Sequence, residues 1–234
     1  AYTVGAPSSD IVTITDNDPV VGPAGLLAHW QFDEGTGTNA GDASGNGNTG
    51  VLTNGAGWGA GQINGALSLD GVNDYVSVGT GASVRGLTQY SLATWVNLNT
   101  IAPATLYSES TPSSTFRLRF LVNSATSIEL SGRAQDSDPN QTLARCTAGF
   151  TLTAGTWAHV TAIFDSVSDV HSMYVNGALC GTNSLAVGVV SNTVPNNANR
   201  IGSQFNNANW VNGRIDDMRV YNRALSAAEV LAIY

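Results

Sequence analysis

From Leu26 onward the chain is a succession of short runs in which apolar and polar residues alternate. Turns rich in glycine and asparagine separate them, and there is almost no helical periodicity. In "FRLRFLV", Phe116, Leu118, Phe120 and Val122 fall on one face and Arg117 and Arg119 on the other. "SIELS" sets Ile128 and Leu130 against Ser127, Glu129 and Ser131, and "LLAHWQF" sets Trp30 and Phe32 against Gln31 and Asp33. "WAHVTAIF" and "HSMYVNG" continue the series, the second ending in the hairpin dipeptide Asn176-Gly177. A strand with one apolar face must cover it, and where no helices intervene the cover is another sheet. The expected fold class is therefore all-β, two stacked antiparallel sheets. The 26 glycines suit such a chain, because its tight turns need positive φ. One short helix is predicted at the C-terminus. In "NRALSAAEVLAIY", Ser226 can cap, Glu229 completes a capping box, and Leu225 and Val230 occupy the staple positions.

With 234 residues, 42% of them hydrophobic and 11% charged, the chain can bury a sizeable core. All nine basic residues are arginine and the net charge is −8. That balance argues against a nucleic-acid partner and against polybasic attraction to lipid. No apolar stretch approaches the ~18 residues of a membrane span, and "AYTVGAPSSD" has neither the basic start nor the apolar run of a signal peptide. The chain thus reads as a monomeric segment of a longer protein. Residues 1–22 form a separate unit, with one alternating strand over 11–15, an acidic turn, and a linker flanked by Pro19 and Pro23. "VTITDNDP" resembles the last strand and exit of a Calx-β domain. The expected organisation is a stub of such a domain over 1–22 and a main domain over 23–234. Cys146 and Cys180 lie in no CxxC or His-flanked context, so a disulfide is expected and two buried thiols are the alternative. The bridge fits a secreted or cell-surface location.

Seven pieces, "AHWQFDEGTG", "DASGNGNTG", "GALSLDGVNDYVSV", "YSLATWVNL", "GTWAHVTAIFD", "MYVNGA" and "GRIDDMRVYNRALSAAEV", together resemble the laminin-G-like, concanavalin A-like lectin/glucanase superfamily. They run in that superfamily's order over residues 26–234. The resemblance implies a jelly-roll sandwich with a concave and a convex sheet. It also implies a structural calcium ion on the convex side, held by an acid after the first strand, carbonyls of the following loop and an aspartate of the last strand. On this chain those positions are Asp33 or Glu34, the loop Asn46, Gly47 and Asn48, and Asp216. Asp217 is the rival of Asp216, because a bulge would change which carboxylate points out.

The stretch "DEGTGTNAGDASGNGNTG" carries much of that set. It lacks the lysine and strand–loop–helix context of a phosphate loop and the register of an EF-hand. A discontinuous calcium site or plain turn chemistry, with Asp33 and Asp42 as Asx-turns, remains. Asp70, Asn73 and Asp74 in "DGVNDY" read as a hairpin turn.

Glycosidases of this fold place paired carboxylates on one strand. The only glutamates here, Glu34, Glu109, Glu129 and Glu229, form no such cluster, and His29, His159 and His171 sit in or beside strands without a nucleophile-elbow context, so no enzyme is expected. Recognition of a sugar needs an aromatic platform and polar groups. Trp30, Trp95 and Trp157 fall in strand-like runs and are expected in the core, while Trp58 and Trp210 fall in loops. "IGSQFNNANWVNGR" offers Phe205 and Trp210 among Asn206, Asn207 and further amides. Its competing reading is a polar loop with Trp210 tucked onto the sheet. Arg117 and Arg119 could contact an acidic sugar, or form a solvated face with cross-strand pairing. The expected function is a non-catalytic, calcium-stabilised carbohydrate-binding or adhesion module, whose partner is a glycan or another extracellular protein. The alternative is a structural or protein-interaction spacer, and a polysaccharide-active enzyme comes third.

Overall fold

The computed structural model describes residues 24–110, 116–132, 141–184, 198–205 and 207–234. The expected 1–22 stub lies outside these residues. In chain order the strands begin with β1 (Leu26–Trp30), β2 (Asn39–Ala40), β3 (Gly50–Thr53), β4 (Gly57–Ala60), β5 (Gly65–Asp70) and β6 (Tyr75–Ser77). They continue with β7 (Gln89–Leu98), β8 (Ala104–Ser110), β9 (Phe116–Ser124), β10 (Ser127–Gly132) and β11 (Gln141–Cys146). Then come β12 (Ala158–Asp165), β13 (His171–Val175), β14 (Ala178–Asn183), β15 (Ala198–Ile201), β16 (Asn212–Tyr221) and helix α1 (Ala227–Ile233). Sheet A has the order β14-β13-β12-β7-β16-β5-β4, with β1 also paired to β16. Sheet B has the order β11-β10-β9-β8-β15-β6-β3-β2. Every strand pairing among the described residues is antiparallel.

Alternation decides which side chains meet between the sheets. Leu118, Phe120, Val122, Ile128 and Leu130 of sheet B join Trp30, Leu92, Val160, Met173 and Val220 of sheet A in one buried cluster. Each such fully buried side chain contributes roughly 1.5–3 kcal/mol. The tryptophans only partly follow the sequence reading. Trp30 is in this core. Trp95 is buried on the outer face of sheet A, beside His159 and Tyr234, because its neighbour Val96 takes the inward position. Trp157 precedes β12 and is only half-buried. Trp58 sits in β4 rather than a loop and donates its indole N–H to the Gly37 carbonyl at 2.9 Å.

The helix starts where its cap is. Ser226 and Glu229 form the reciprocal capping box. Leu225 and Val230 then pack on Ile163, Tyr174 and Tyr221, which closes part of the outer face of sheet A. At the other side of the sandwich the edge strands β11 and β14, one from each sheet, run close together. Cys146 and Cys180 join there with their Cα atoms 5.4 Å apart. The Asn183 amide donates to the Leu143 carbonyl at 3.1 Å. A Cβ at Gly181 would lie 2.1 Å from the Arg145 carbonyl oxygen, so only glycine permits the approach.

Two predictions follow from this packing. Closing a loop of 34 residues stabilises a fold by about 3–4 kcal/mol in the chain-entropy model. The Cys146→Ser/Cys180→Ser variant should lose that amount in a urea titration, with its strand content by circular dichroism retained; an unchanged midpoint would show that the seam holds without the bond. His159 is buried against Trp95, and its pKa falls to about 4, chiefly through burial and then through the charge of Arg219. Its neutral form is thus favoured in the folded state. The contribution is complete above pH 6.5 and is lost as the pH falls from about 6.5 to about 4, by about 2–3 kcal/mol. A His159→Phe variant should flatten the stability profile in that window, and an equally steep profile would contradict the assignment.

Candidate functional site

Strand β16 changes partner part-way along. It borders β5 over Asn212–Ile215 and β1 over Met218–Tyr221. Between these spans its register against β7 shifts, and Asp217 adopts φ 54°. This is the bulge on which the choice between Asp216 and Asp217 depended, and the two carboxylates leave it in different company. Asp216 is fully buried; its Oδ2 accepts the N–H groups of Gln62 and Ile63, each at 2.9 Å, while Oδ1 has no hydrogen-bond partner among the described residues. Asp33 accepts the Gly65 N–H at 2.7 Å and the Asn64 amide at 3.3 Å. The turn between β4 and β5 therefore links Asp33 to Asp216. It fits because Gly65 has no side chain: a Cβ there would lie 2.6 Å from the Phe32 carbonyl oxygen.

Electrostatics separates the two acids of the bulge. Burial first, with Asp217 and Asp33 adding repulsion, pushes the Asp216 pKa up to about 6 against the opposing effect of its two N–H donors. Burial also acts against ionised Asp217, but a hydrogen bond from His29 and the Arg219 guanidinium at 2.7 Å outweigh it and hold that pKa low.

The loop after β2 is organised by Asp42, which the sequence reading placed only in a turn. Its Oδ1 accepts the N–H groups of His29 (3.0 Å) and Ser44 (2.9 Å), and its Oδ2 that of Asn48 (2.8 Å). The Ser44 contact is an Asx-turn. Asn46 donates its amide to the Leu26 and Leu27 carbonyls, Asn48 donates to Leu27, and the Trp30 indole donates to the Asn48 carbonyl at 2.7 Å. Gly47, at φ 78°, makes the turn between them. Asn46, Gly47 and Asn48 are thus stitched to β1, whereas Asp33 and Asp216 share the β4–β5 turn. Glu34 accepts the Gly41 N–H at 2.6 Å and, with Gln31, Asp33 and Asp42, lines a cavity of about 400 Å³. Among the described residues no three His, Cys, Asp or Glu side chains form a metal-binding group.

A second site lies on the outer face of sheet B. A groove of about 540 Å³ is lined by Asn54, Val72, Asn73, Tyr75, Arg200, Asn207 and Trp210. Trp210 is half-buried, its ring 6.2 Å from that of Tyr75 at 39°. Arg200 stacks 4.0 Å over Tyr75 and 4.7 Å over Phe205, and its guanidinium donates to the Phe205 carbonyl (3.5 Å) and to Asn207 Oδ1 (3.3 Å). Phe205, Asn207 and Trp210 are thus brought together, while Asn206 lies outside the described residues. Arg119 is on the same face and donates to Gln204 (3.2 Å) and Ser131 (3.2 Å). Arg117 lies in β9, but its side chain is outside the description. Sequence reasoning missed Tyr75, Arg200, Asn54 and Asn73, which arrive from separate segments. One signal was available: in "DYVSV", inward Val76 and Val78 leave Tyr75 facing out.

The four glutamates occupy separate places. Glu34 binds Gly41, and Glu229 caps α1 and pairs with Arg223. Buried Glu109 accepts from Ser83, the Val84 N–H and the Tyr107 hydroxyl. Glu129 accepts from Asn123 and pairs with Arg145. Asp70 and Asp74 brace their turn, accepting the Val72 N–H at 2.7 Å and the Gly55 N–H at 2.7 Å.

Known structures share this sandwich. Domain 4 of AbnA, a GH43 extracellular arabinanase from Geobacillus stearothermophilus solved with arabinotriose, matches 89% of this chain and 97% of its own with a TM-score of 0.67 at 20% identity. The botulinum neurotoxin serotype G binding domain gives 0.66 at 14% identity, covering 89% of this chain and 50% of its own. The botulinum neurotoxin DC binding domain in complex with rat synaptotagmin II gives 0.65 at 12%, covering 89% and 51%. The chain spans about half the length of those toxin domains, and at these identities the likeness is one of fold. No curated protein sequence matches it. A laminin-G model, described as the concanavalin A-like lectin/glucanases superfamily, matches residues 70–231, and the sandwich continues back to Leu26. The chain belongs to the concanavalin A-like lectin/glucanases superfamily.

Proposed function

We propose that this chain is a non-catalytic carbohydrate-binding module of a larger secreted or surface protein, and that the Trp210 groove is its site. The observation that carries the reading is the groove's composition. A half-buried tryptophan and a tyrosine offer apolar faces to a sugar ring, and Asn54, Asn73 and Asn207 offer amides to its hydroxyls. The bound arabinotriose of the arabinanase domain shows that a domain of this fold can hold a sugar. The dispersed glutamates support a binding role over hydrolysis, which needs two facing carboxylates.

Calcium belongs to the proposal as a stabilising ion. The buried Asp216 Oδ1 without a partner, with a second carboxylate on the same turn, is the donor chemistry a hard cation takes. Asp33 and Asp216 would hold it. Asn46 and Asn48 already bond to β1, with Gly47 turning the chain between them.

A second reading, a protein-interaction module, draws on the toxin domain bound to synaptotagmin II. A glycan array distinguishes the two. Carbohydrate recognition predicts binding to at least one oligosaccharide and a loss of at least tenfold in Trp210→Ala, corresponding to about 1.4 kcal/mol; a flat array would favour the protein partner. For the metal, calcium at a hundred times its Kd should add about 2.7 kcal/mol to the unfolding free energy. Asp216→Asn should abolish that increment, and no response in the parent chain would remove calcium from the proposal.

A further inference from the structure

We infer that the groove selects an anionic sugar residue, its charge carried by a carboxylate or a sulfate ester, through Arg200. This rests on the carbohydrate reading and adds the class of ligand to it. The chain carries 17 acidic and nine basic residues, so an average patch of its surface is negative. Yet among the described residues the groove's lining contains one arginine and no aspartate or glutamate. The nearby acids point elsewhere, Asp70 and Asp74 being committed to turn N–H groups.

Arg200 is also held in an unusual way for a cation. Arg145, on the same face, pairs directly with Glu129. Arg200 instead stacks on two aromatic rings and donates to neutral acceptors, with no ion pair among the described residues. Stacking fixes the plane of the guanidinium and leaves its charge uncompensated, which is the arrangement that suits a bidentate oxyanion.

The register places a second arginine on the same face. Arg200 pairs with Ser77 on one side and Ser108 on the other, Ser108 pairs with Arg119, and Arg119 pairs with Ser131. This row, Ser77, Arg200, Ser108, Arg119 and Ser131, crosses the outer face of sheet B. Its two arginines stand two strand spacings apart, ~10 Å. Across that face the described strands present Arg119, Arg145 and Arg200 against Glu129, because Glu109 points into the sandwich.

The test is an array of matched glycans, each backbone in neutral and charged form: galacto-oligosaccharide with oligogalacturonate and with its sulfated counterpart, and xylan with glucuronoxylan. The expected result is at least one charged member bound tenfold or more tightly than its neutral partner, with the preference falling as salt rises. The uronate and sulfate arms identify the source of the charge. In Arg200→Gln the ratio of charged to neutral binding should fall to about one, whereas Trp210→Ala should weaken both members together. Circular dichroism and the melting temperature confirm that each variant is folded. Equal binding of the paired members, or a preference unchanged in Arg200→Gln, overturns the inference and leaves carbohydrate recognition standing. An array on which nothing binds removes both.

Discussion

Sheet A depends on how Asp216 fills the space where β16 exchanges β5 for β1. The backbone of β16 cannot pair with both along its whole length, so a stretch near the bulge has no strand on that side. Asp216 occupies it, its carboxylate taking the N–H groups of Gln62 and Ile63 while its own carbonyl accepts the Thr94 hydroxyl at 2.9 Å. A side chain thereby stands in for the missing strand. The cost is a buried carboxylate with one oxygen unsatisfied, and burying such a charge is expensive unless a proton or a cation compensates it. The raised pKa is the same fact seen as titration. The bulge also turns Asp217 toward His29 and Arg219, where the compensation is already present.

From that anchoring the two outer faces acquire different characters. The outer face of sheet A is covered by α1 and the C-terminal Tyr234, which lies 5.4 Å from the Trp95 ring. It holds His159 and Tyr221 out of water. The outer face of sheet B carries no helix among the described residues; Tyr75, Ser77, Arg119 and Arg200 are half-buried there and Arg145 is exposed, while Ser108, Ser131 and Gln204 are buried. The groove, with Asn73 and Asn207 exposed and Tyr75 and Trp210 half-buried, can meet a hydroxyl-rich ligand without first uncovering itself.

What could be read in the sequence follows from range. Alternation is a local property, so the strands over "FRLRFLV" and "SIELS", the helix and its cap, and the sandwich itself were legible. Trp95 shows the limit: a strand buried on both faces carries no alternation to say which side is the core. The partner exchange in β16 was unreadable, because it depends on where β5 stops beside β1 rather than on any one segment. Asp42 illustrates the same point, since its value lies in reaching His29, thirteen residues back. Within the groove, Phe205, Asn207 and Trp210 share one short loop and were found together. Tyr75 and Arg200 belong to strands that meet only after folding.

The charge of the whole chain and that of the groove act over different distances. A net charge of −8 repels an approaching anion while it is far away. At physiological ionic strength that field is screened within about 8 Å, so it governs encounter far more than the bound state. Once a ligand is seated, the nearest charge is the Arg200 guanidinium held against Tyr75 and Phe205. Discrimination at this site must therefore come from contact rather than steering. By this proposal a single arginine, fixed in plane by two rings, would set the preference of a protein whose overall charge points the other way.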